Sequence, residues 1–203
     1  MSSESLVTIY IPCRNYGNFL TQSVESVFNQ SYTNWELVII NEASDDNTSE
    51  IAKELCKREP KKTTFIDNKK PLGLQKLANL VLSQANGKYM MRLDADDWLD
   101  ENALLLLVTK LESSSDSGLV FGNYYYTNQE GSVIGVETSF EENVGASLSK
   151  IPPHGACTLF RTRALKTVGG YSEDVNAQDG WDLWYKLSNR IGATSIRTPV
   201  FYY

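Results

Sequence analysis

Four aspartates lie within seven residues, 94 to 100, directly after the strand-like run "KYMMRL". Side chains two positions apart in an extended chain point to the same side, so Asp94 and Asp96 can hold one hard divalent cation. Mg²⁺ and Mn²⁺ prefer oxygen ligands of this kind and complete their shells with water and substrate phosphates. The spacing therefore predicts a metal site that receives a phosphate-bearing nucleotide.

Helix capping is the alternative explanation for these aspartates. Asp96, Asp97 and Asp100 precede a helical pattern that begins near residue 100, and Asp is a favoured N-cap. We expect Asp100 to cap that helix. For Asp94 and Asp96 the metal site is favoured, because carboxylates this close repel one another strongly without a cation.

A second acidic cluster follows another strand-like run, "WELVII", at residues 35 to 40. The chain continues with Asn41 and Glu42, and then with Asp45 and Asp46. Asp46 is predicted to be the N-cap of the next helix. Glu42 comes directly after the strand, where ligands collect in parallel sheets, so it is expected to share one crevice with Asp94.

The two acidic clusters lie within a regular alternation of predicted strands and helices, and these elements would position them. Residues 6–11, 35–40, 63–67 and 88–94 are predicted strands, and residues 18–30, 46–58 and 73–86 are predicted helices. This rhythm indicates right-handed βαβ crossovers and a mostly parallel sheet covered by helices, which is an α/β fold.

The second half of the chain has a different pattern. A helix is predicted at 100–114, and two strand-like runs separated by "NQEG" predict an antiparallel hairpin. Further predictions are a strand at 157–160, a helix beginning near Arg161, a helix at 179–189 and a final strand at 194–203. Asp179, at the start of the last helix, is a third candidate for chemistry.

Composition excludes several classes of protein. With 203 residues, 41% hydrophobic and 22% charged, the chain can bury one core. Its 19 basic and 25 acidic residues give a net charge of -6, which argues against nucleic acid as a partner. Three widely spaced cysteines suggest no disulfide framework, and no apolar run is long enough to span a bilayer. We expect a soluble, cytoplasmic protein.

Seven segments together resemble a known family. They are "VTIYIPCRN", "VIINEASDDNT", "PLGLQKLAN", "GKYMMRLDADDW", "PHGACTLFR", "VGGYSE" and "QDGWDLW". Their order resembles the inverting GT-A glycosyltransferases of the large bacterial nucleotide-sugar family (glycosyltransferase family 2-like). The resemblance implies a single GT-A domain over 1–203, with a nucleotide-binding half at 1–100 and an acceptor-side half at 101–203.

The resemblance also implies a reaction. A sugar would pass with inversion from a nucleoside diphosphate sugar, a UDP-sugar by default, to a glycan or lipid-linked glycan acceptor. Mn²⁺ or Mg²⁺ would assist, with Asp96 as the direct metal ligand beside Asp94. Asp179 matches the catalytic base of the family, which takes the proton from the acceptor hydroxyl.

Other roles carry over by position. The residues implied to bind the nucleotide are Pro12, Arg14, Asn15, Glu42, Lys76, Asp94 and Ala95. Relatives usually carry two Asp residues where this chain has Asn41 and Glu42, and often an Arg where it has Ala78. Arg92, on the same strand face as Asp94, is expected to balance the charge of the acidic cluster.

Acceptor-side residues are implied in the same way, as Gly155, Trp181 and Asp182. Trp184 is predicted to pack in the core. His154 is predicted to be structural. Relatives often have a later histidine that completes the metal site, and this chain ends at "PVFYY". We therefore expect a truncated catalytic domain, whose missing segment could make peripheral contacts at the inner face of the cell membrane.

Two alternatives to an active transferase stay open. A nucleotide-sugar binding module without catalysis would share the same donor site. A nucleotidyltransferase would share the sheet and the metal, but the expected Gly-rich, basic phosphate loop after the first strand is absent from the sequence.

Overall fold

A computed structural model describes residues 4–138, 155–174, 181–188 and 190–203. Nine strands there form one sheet in the order β3-β2-β1-β4-β8-β6-β9-β5, with β7 paired to β6. The strands are β1 Val7–Cys13, β2 Trp35–Glu42, β3 Thr63–Asn68, β4 Tyr89–Arg92, β5 Trp98–Leu99, β6 Leu119–Thr127, β7 Val133–Glu137, β8 Leu159–Arg161 and β9 Ala193–Tyr202. The helices are α1 Gly17–Phe28, α2 Thr48–Arg58, α3 Leu74–Gln84, α4 Ala103–Glu112, α5 Thr162–Thr167 and α6 Trp181–Ser188.

The first four strands form the predicted parallel sheet. β1 lies between β2 and β4, with Tyr10 opposite Arg92 and Pro12 opposite Ile40. Consecutive β1 residues are buried because helices cover both faces of the sheet. This register brings the carboxyl ends of β1, β2 and β4 to one edge.

Helices close the two faces with apolar residues at helical spacing. α1 buries Leu20, Val24 and Val27 in a core shared with α2 and α4, whereas α3 buries Leu77 and Val81 in a second core on the other face. Truncating one of these leucines to alanine would cost about 2–5 kcal/mol of the free energy of unfolding. No helix within the described residues is long and apolar enough to cross a membrane.

The second half of the sheet contains the predicted hairpin. β6 and β7 are antiparallel, and β8 pairs antiparallel with both β4 and β6. β9 then runs parallel to β6. The mixed α/β fold with a small antiparallel portion is therefore confirmed.

The structure differs from the sequence-based expectations at three points. It contains β5, which was not predicted because it is only two residues long and is defined by pairing with distant β9. α2 begins at Thr48 after Asn47, and α4 begins at Ala103 after Asn102, so Asp46 and Asp100 are not the N-cap residues. Each carboxylate nevertheless accepts a hydrogen bond from the backbone N–H of the residue two positions later. Thr48 donates to Asp46 and Asn102 donates to Asp100, both at 3.0 Å.

Candidate nucleotide-sugar site

The loops that follow β1 and β2 are joined by Asn15. Its backbone N–H donates to Ser44 Oγ at 3.0 Å, and its Oδ1 accepts from the N–H of Asp45 at 2.8 Å. Asn15 has a φ of 61°, a left-handed conformation that few residues other than glycine adopt. Asn15 is exposed, and its two hydrogen bonds hold the two loops together.

Backbone strain is concentrated near this edge. Besides Asn15, the residues other than glycine with positive φ in the described chain are Ala43 at 55° and Cys157 at 59°. Ala43 directly follows β2, and the N–H of Cys157 donates to the carbonyl of Arg92 at the end of β4. Strained backbone of this kind tends to cluster at functional sites, where the surrounding structure holds it.

A cavity of about 250 Å³ opens beside these loops, and we call it the strand-end cavity. Three residues of the predicted nucleotide site, Pro12, Arg14 and Glu42, line it. Its other wall contains Pro71 and Gly73 from the loop before α3. A mixed apolar and charged cavity of this size suits one planar base rather than a whole nucleotide sugar.

Glu42 is buried, and its carboxylate holds the loop before α3. Oε2 accepts from the N–H groups of Leu72 at 2.9 Å and Gly73 at 3.0 Å, while Oε1 accepts from Asn68 Nδ2 at 2.7 Å. The side chain is only 6% exposed. Glu42 thus shapes the wall of the strand-end cavity as well as lining it.

Asn41, which precedes Glu42 at the end of β2, is also buried, and its side-chain amide is hydrogen-bonded at both atoms. Its Oδ1 accepts from the N–H of Ser44 at 3.1 Å, and its Nδ2 donates to Asp67 Oδ1 at 2.7 Å. The hydrogen bond from Lys69 and, as the next largest effect, the one from Asn41 hold the pKa of Asp67 below its usual value. The amide of Asn41 therefore connects β2 to β3 and to its own loop.

Arg92 and Asp94 form an ion pair at the end of β4. Arg92 Nε lies 2.8 Å from Asp94 Oδ1, and Nη2 donates to Oδ2 at 3.1 Å. The arginine side chain is 6% exposed and the aspartate 28%. The expectation that Arg92 balances the acidic cluster is confirmed, and the hydrogen bond from Nη2 helps to orient the Asp94 carboxylate.

Asp96 and Asp97 have opposite surroundings. Asp96 is exposed, whereas Asp97 is 3% exposed and its Oδ2 has no hydrogen-bond partner among the described residues. Burial, with the nearby charges of Asp94 and Asp96, raises the pKa of Asp97 to about 8. Burial also raises the pKa of the Cys157 thiol well above its usual value, helped by the charges of Asp97 and Asp94.

Asp94 and Asp96 are not in the extended chain that the sequence predicted, because residues 95 and 96 form a turn in which the N–H of Asp97 donates to the carbonyl of Asp94 at 3.2 Å. Their carboxylates still offer the oxygen ligands that a hard divalent cation prefers. Burial is the main cause of the raised pKa of Asp97, and the negative charges of Asp94 and Asp96, which a cation would offset, add to it. No group of three His, Cys, Asp or Glu side chains within the described ranges is arranged to hold a metal. Asp96 and Asp94 would therefore supply two ligand residues, leaving the remaining positions to water and a diphosphate, as is usual for Mg²⁺.

The other predicted site residues are more dispersed. Ala95 is buried between the two aspartates, and Lys76 is exposed on the first turn of α3, outside the residues that line the strand-end cavity. Gly155 is half-buried in the turn before β8. Asp182 pairs with Lys186 at 2.6 Å within α6.

Some predictions fall where little is described. Asp179 and His154 lie outside the described residues, and for Trp181 only its place as the first residue of α6 is described. Trp184 packs edge-to-face on Phe121 with ring centroids 5.8 Å apart, so its predicted core role is confirmed.

Asp46 has a role that the sequence did not show. Its Oδ2 accepts from the N–H of Gly17 at 3.0 Å and its Oδ1 from that of Thr48, so one carboxylate serves the first residues of two helices. Burial raises its pKa, but hydrogen bonds from Thr48 and Gly17 outweigh that effect and hold the pKa below its usual value. A side chain at Gly17 would collide with Asn47, so glycine permits this close approach.

Solved structures with the same architecture define the class of fold. TarS of S. aureus superposes with a TM-score of 0.81 at 20% sequence identity, over 97% of this chain and 59% of that one. Its complex with UDP-GlcNAc gives a TM-score of 0.78. The mannosyltransferase PcManGT of Pyrobaculum calidifontis, in complex with GDP-Man and Mn²⁺, gives 0.73 at 19% identity, over 98% of this chain and 56% of that one. The chain has the GT-A glycosyltransferase fold.

Sequence comparison then gives the family. Residues 8–169 match Glycosyl transferase family 2, and the chain belongs to that family. An uncharacterized glycosyltransferase of Rickettsia bellii is 30% identical over 191 residues, which cover 92% of this chain. The chain spans only 27% of the length of that relative.

Proposed function

We propose that this chain carries the catalytic centre of an inverting, metal-assisted glycosyltransferase. The donor is a nucleoside diphosphate sugar, a UDP-sugar by default, and the acceptor is a glycan or lipid-linked glycan. The observation that carries the proposal is the strand-end cavity, with Pro12, Arg14 and Glu42, opening at the same sheet edge as Asp94 and Asp96.

Donor binding follows from this arrangement. The base enters the strand-end cavity, and the diphosphate extends towards Asp94 and Asp96, because Tyr10 pairs with Arg92 and the chain reaches Pro12 and Asp94 two residues further along each strand direction. The neighbours support a nucleotide sugar as the ligand, since TarS has been solved with UDP-GlcNAc and PcManGT with GDP-Man and Mn²⁺. When bound, Mn²⁺ or Mg²⁺ supplies charge stabilisation to the departing diphosphate.

The chemical step is a single displacement. Asp179 accepts the proton of an acceptor hydroxyl while that oxygen bonds to the anomeric carbon, and the bond from this carbon to the diphosphate oxygen breaks. The leaving group is the nucleoside diphosphate. Gly155, Trp181 and Asp182 are proposed to border the sugar or the acceptor.

The free thiols are consistent with a cytoplasmic enzyme, which we place at the inner face of the membrane.

Asp96→Ala tests the donor site. We expect it to abolish Mn²⁺-dependent binding of UDP in calorimetric titrations, because the exposed carboxylate is the direct metal ligand. Asp116→Ala, which removes another exposed aspartate in the loop before β6, should bind UDP as the wild type does. Unchanged Mn²⁺-dependent affinity in Asp96→Ala would refute the metal assignment.

Asp179→Asn tests the catalytic base and separates a transferase from a binding module. We expect turnover of the donor sugar to fall by roughly 10²–10⁴-fold while UDP affinity is retained. Asp174→Asn, an exposed aspartate in the same half of the chain, is the matched control. A wild-type protein that binds UDP with Mn²⁺ but hydrolyses and transfers no nucleotide sugar would instead be a binding module.

A further inference from the structure

A second cavity, of about 560 Å³, lies between α1 and β5, and we call it the α1 groove. Its α1 wall presents the amides of Asn18, Gln22 and Asn29 on one helical face. Trp98 of β5 also lines it. None of the predicted donor-site residues contributes to this groove.

Trp98 ends a stack of three aromatic rings that crosses the sheet. The indole lies 5.1 Å from the ring of Tyr202 at an interplanar angle of 7°, and Tyr202 lies 4.8 Å from Tyr125 at 24°. β5 is the edge strand, so Trp98 is the outermost ring. Stacking on Tyr202 holds the indole in one orientation, and Trp98 is half-buried at the edge of the sheet.

Hydrogen bonds fix the two sides of the groove to each other. Ser26 Oγ accepts from the N–H of Leu99 at 3.0 Å, and Gln30 Nε2 donates to the carbonyl of Asp100 at 2.6 Å. The N–H of Ser31 donates to the carbonyl of Glu101 at 2.9 Å. A groove preformed in this way binds a ligand without first ordering its own walls.

The chemistry of the groove matches an uncharged sugar chain. A pyranose ring offers an apolar C–H face to an aromatic ring and hydroxyls at its rim to amide groups, which both donate and accept. The groove also contains the carboxylates of Glu101 and of Glu25, which pairs with Arg58 at 2.7 Å, and none of its nine lining residues, all in described segments, is basic. The lining therefore supplies no cation to bind a saccharide carboxylate or phosphate, which favours an uncharged ligand.

Two lining residues of the groove are close in sequence to the donor-site loops. Asn18 follows Gly17, whose N–H is bound by Asp46, and Trp98 is two residues beyond Asp96. From Asn18 to Asn29 the helix rises about 16 Å, enough for several consecutive sugar rings.

We propose that the α1 groove binds the part of an uncharged oligosaccharide acceptor remote from the reacting hydroxyl, with Trp98 as the stacking platform. This inference rests on the proposed transferase function and adds the class of acceptor. It predicts that the protein binds neutral oligosaccharides even without a donor.

The test is direct binding of oligosaccharides, measured by calorimetry or by quenching of tryptophan fluorescence. The neutral probes are the tetrasaccharides of chitin (N-acetylated), cellulose, mannan and starch, and the anionic probe is a hyaluronan tetrasaccharide. We expect at least one neutral probe to bind, and Trp98→Ala to weaken it at least tenfold. Gln22→Ala, a substitution at an exposed helix position that leaves the core intact, should weaken it severalfold.

Phe19→Ala is the control, because Phe19 is an aromatic residue of α1 that is 48% exposed and does not line the groove. It should leave oligosaccharide affinity unchanged. UDP affinity with Mn²⁺ is measured in parallel on each protein. Two outcomes would overturn the groove assignment alone, provided that the wild type binds UDP. Either no neutral probe binds, or the probe that binds does so with the same affinity in Trp98→Ala and Gln22→Ala as in the wild type. Absence of UDP binding in the wild type would instead count against the proposed function.

Discussion

Glu42 shows how one side chain can determine the shape of a binding site. Its position at the end of β2 made it a candidate for contact with the donor base. In the structure the same carboxylate binds the amides of Leu72 and Gly73 and the side chain of Asn68. These bonds involve a charged, buried acceptor, and each contributes on the order of 1.5–3 kcal/mol.

Glu42→Asp should therefore weaken nucleotide binding without changing nucleotide preference. Shortening the side chain by one methylene withdraws the carboxylate from Leu72 and Gly73, so the loop before α3 loses its support. We expect UDP and GDP affinities to fall by similar factors, about tenfold or more, in titrations with Mn²⁺.

Glu36→Asp is the matched control for that variant. Glu36 lies at the other end of β2, where it accepts from Thr8 Oγ1 at 2.6 Å and from the N–H of Asn86 at 3.0 Å. Its shortening should lower the free energy of unfolding but leave nucleotide affinity intact. A change in the ratio of UDP to GDP affinity in Glu42→Asp would show that Glu42 contacts the base directly.

At the scale of elements, α4 is attached to the sheet by a charged contact at its C-terminal end. Glu112 Oε1 accepts from Lys88 Nζ at 2.6 Å, just before β4, and from Ser5 Oγ at 2.8 Å. The hydrogen bond from Lys88 is the main reason that the pKa of Glu112 falls to about 2. One carboxylate thus joins α4 to two segments that flank the parallel sheet.

Glu112→Gln should make the protein less stable in a pH-dependent manner. The folded-state pKa lies below the unfolded value of 4.5, so this contribution is fully present above pH 4.5 and is lost as pH falls towards 2. Because Glu112 and Lys88 are 41% and 48% exposed, we expect at most about 1 kcal/mol at pH 7. Urea unfolding at pH 7, 4.5 and 3 measures the difference from the wild type.

The matched control is Glu54→Gln, which removes a pair with Lys57 in which both side chains are about 70% exposed. Its effect on stability should be smaller than that of Glu112→Gln at pH 7. A difference between Glu112→Gln and the wild type that stays constant from pH 7 to pH 3 would contradict the assigned pKa shift.

For the whole molecule, the donor site should report its occupancy as thermal stability. A ligand at a hundredfold excess over its Kd stabilises the folded state by about 2.7 kcal/mol. For a chain of this length that free energy raises Tm by roughly 5–11 °C. We expect this shift with UDP and Mn²⁺, and its loss when EDTA is added.

UMP with Mn²⁺ is the control for that measurement, because it keeps the base and lacks the diphosphate. It should give a much smaller rise in Tm. If neither UDP nor GDP raises Tm with Mn²⁺, the strand-end cavity and the acidic cluster do not form one nucleotide site.

Local patterns predicted much of this protein. The alternation of apolar strands and amphipathic helices predicted the parallel half of the sheet, and the two runs around "NQEG" predicted the hairpin of β6 and β7. The two acidic clusters were placed correctly at the ends of β2 and β4. Such features depend on the period of side-chain burial along a strand or helix, and that period is present in the sequence itself.

Long-range contacts decided the rest. The hydrogen bonds of Glu42 come from residues up to 31 positions away, and Trp98 pairs with Tyr202 across the sheet. Asp97 differs from Asp96 only in its surroundings, yet it is buried and Asp96 is exposed. The sequence alone determined which residues could do chemistry and on which elements they lie. Only the tertiary structure determined their solvation and partners, because both depend on segments that are distant along the chain.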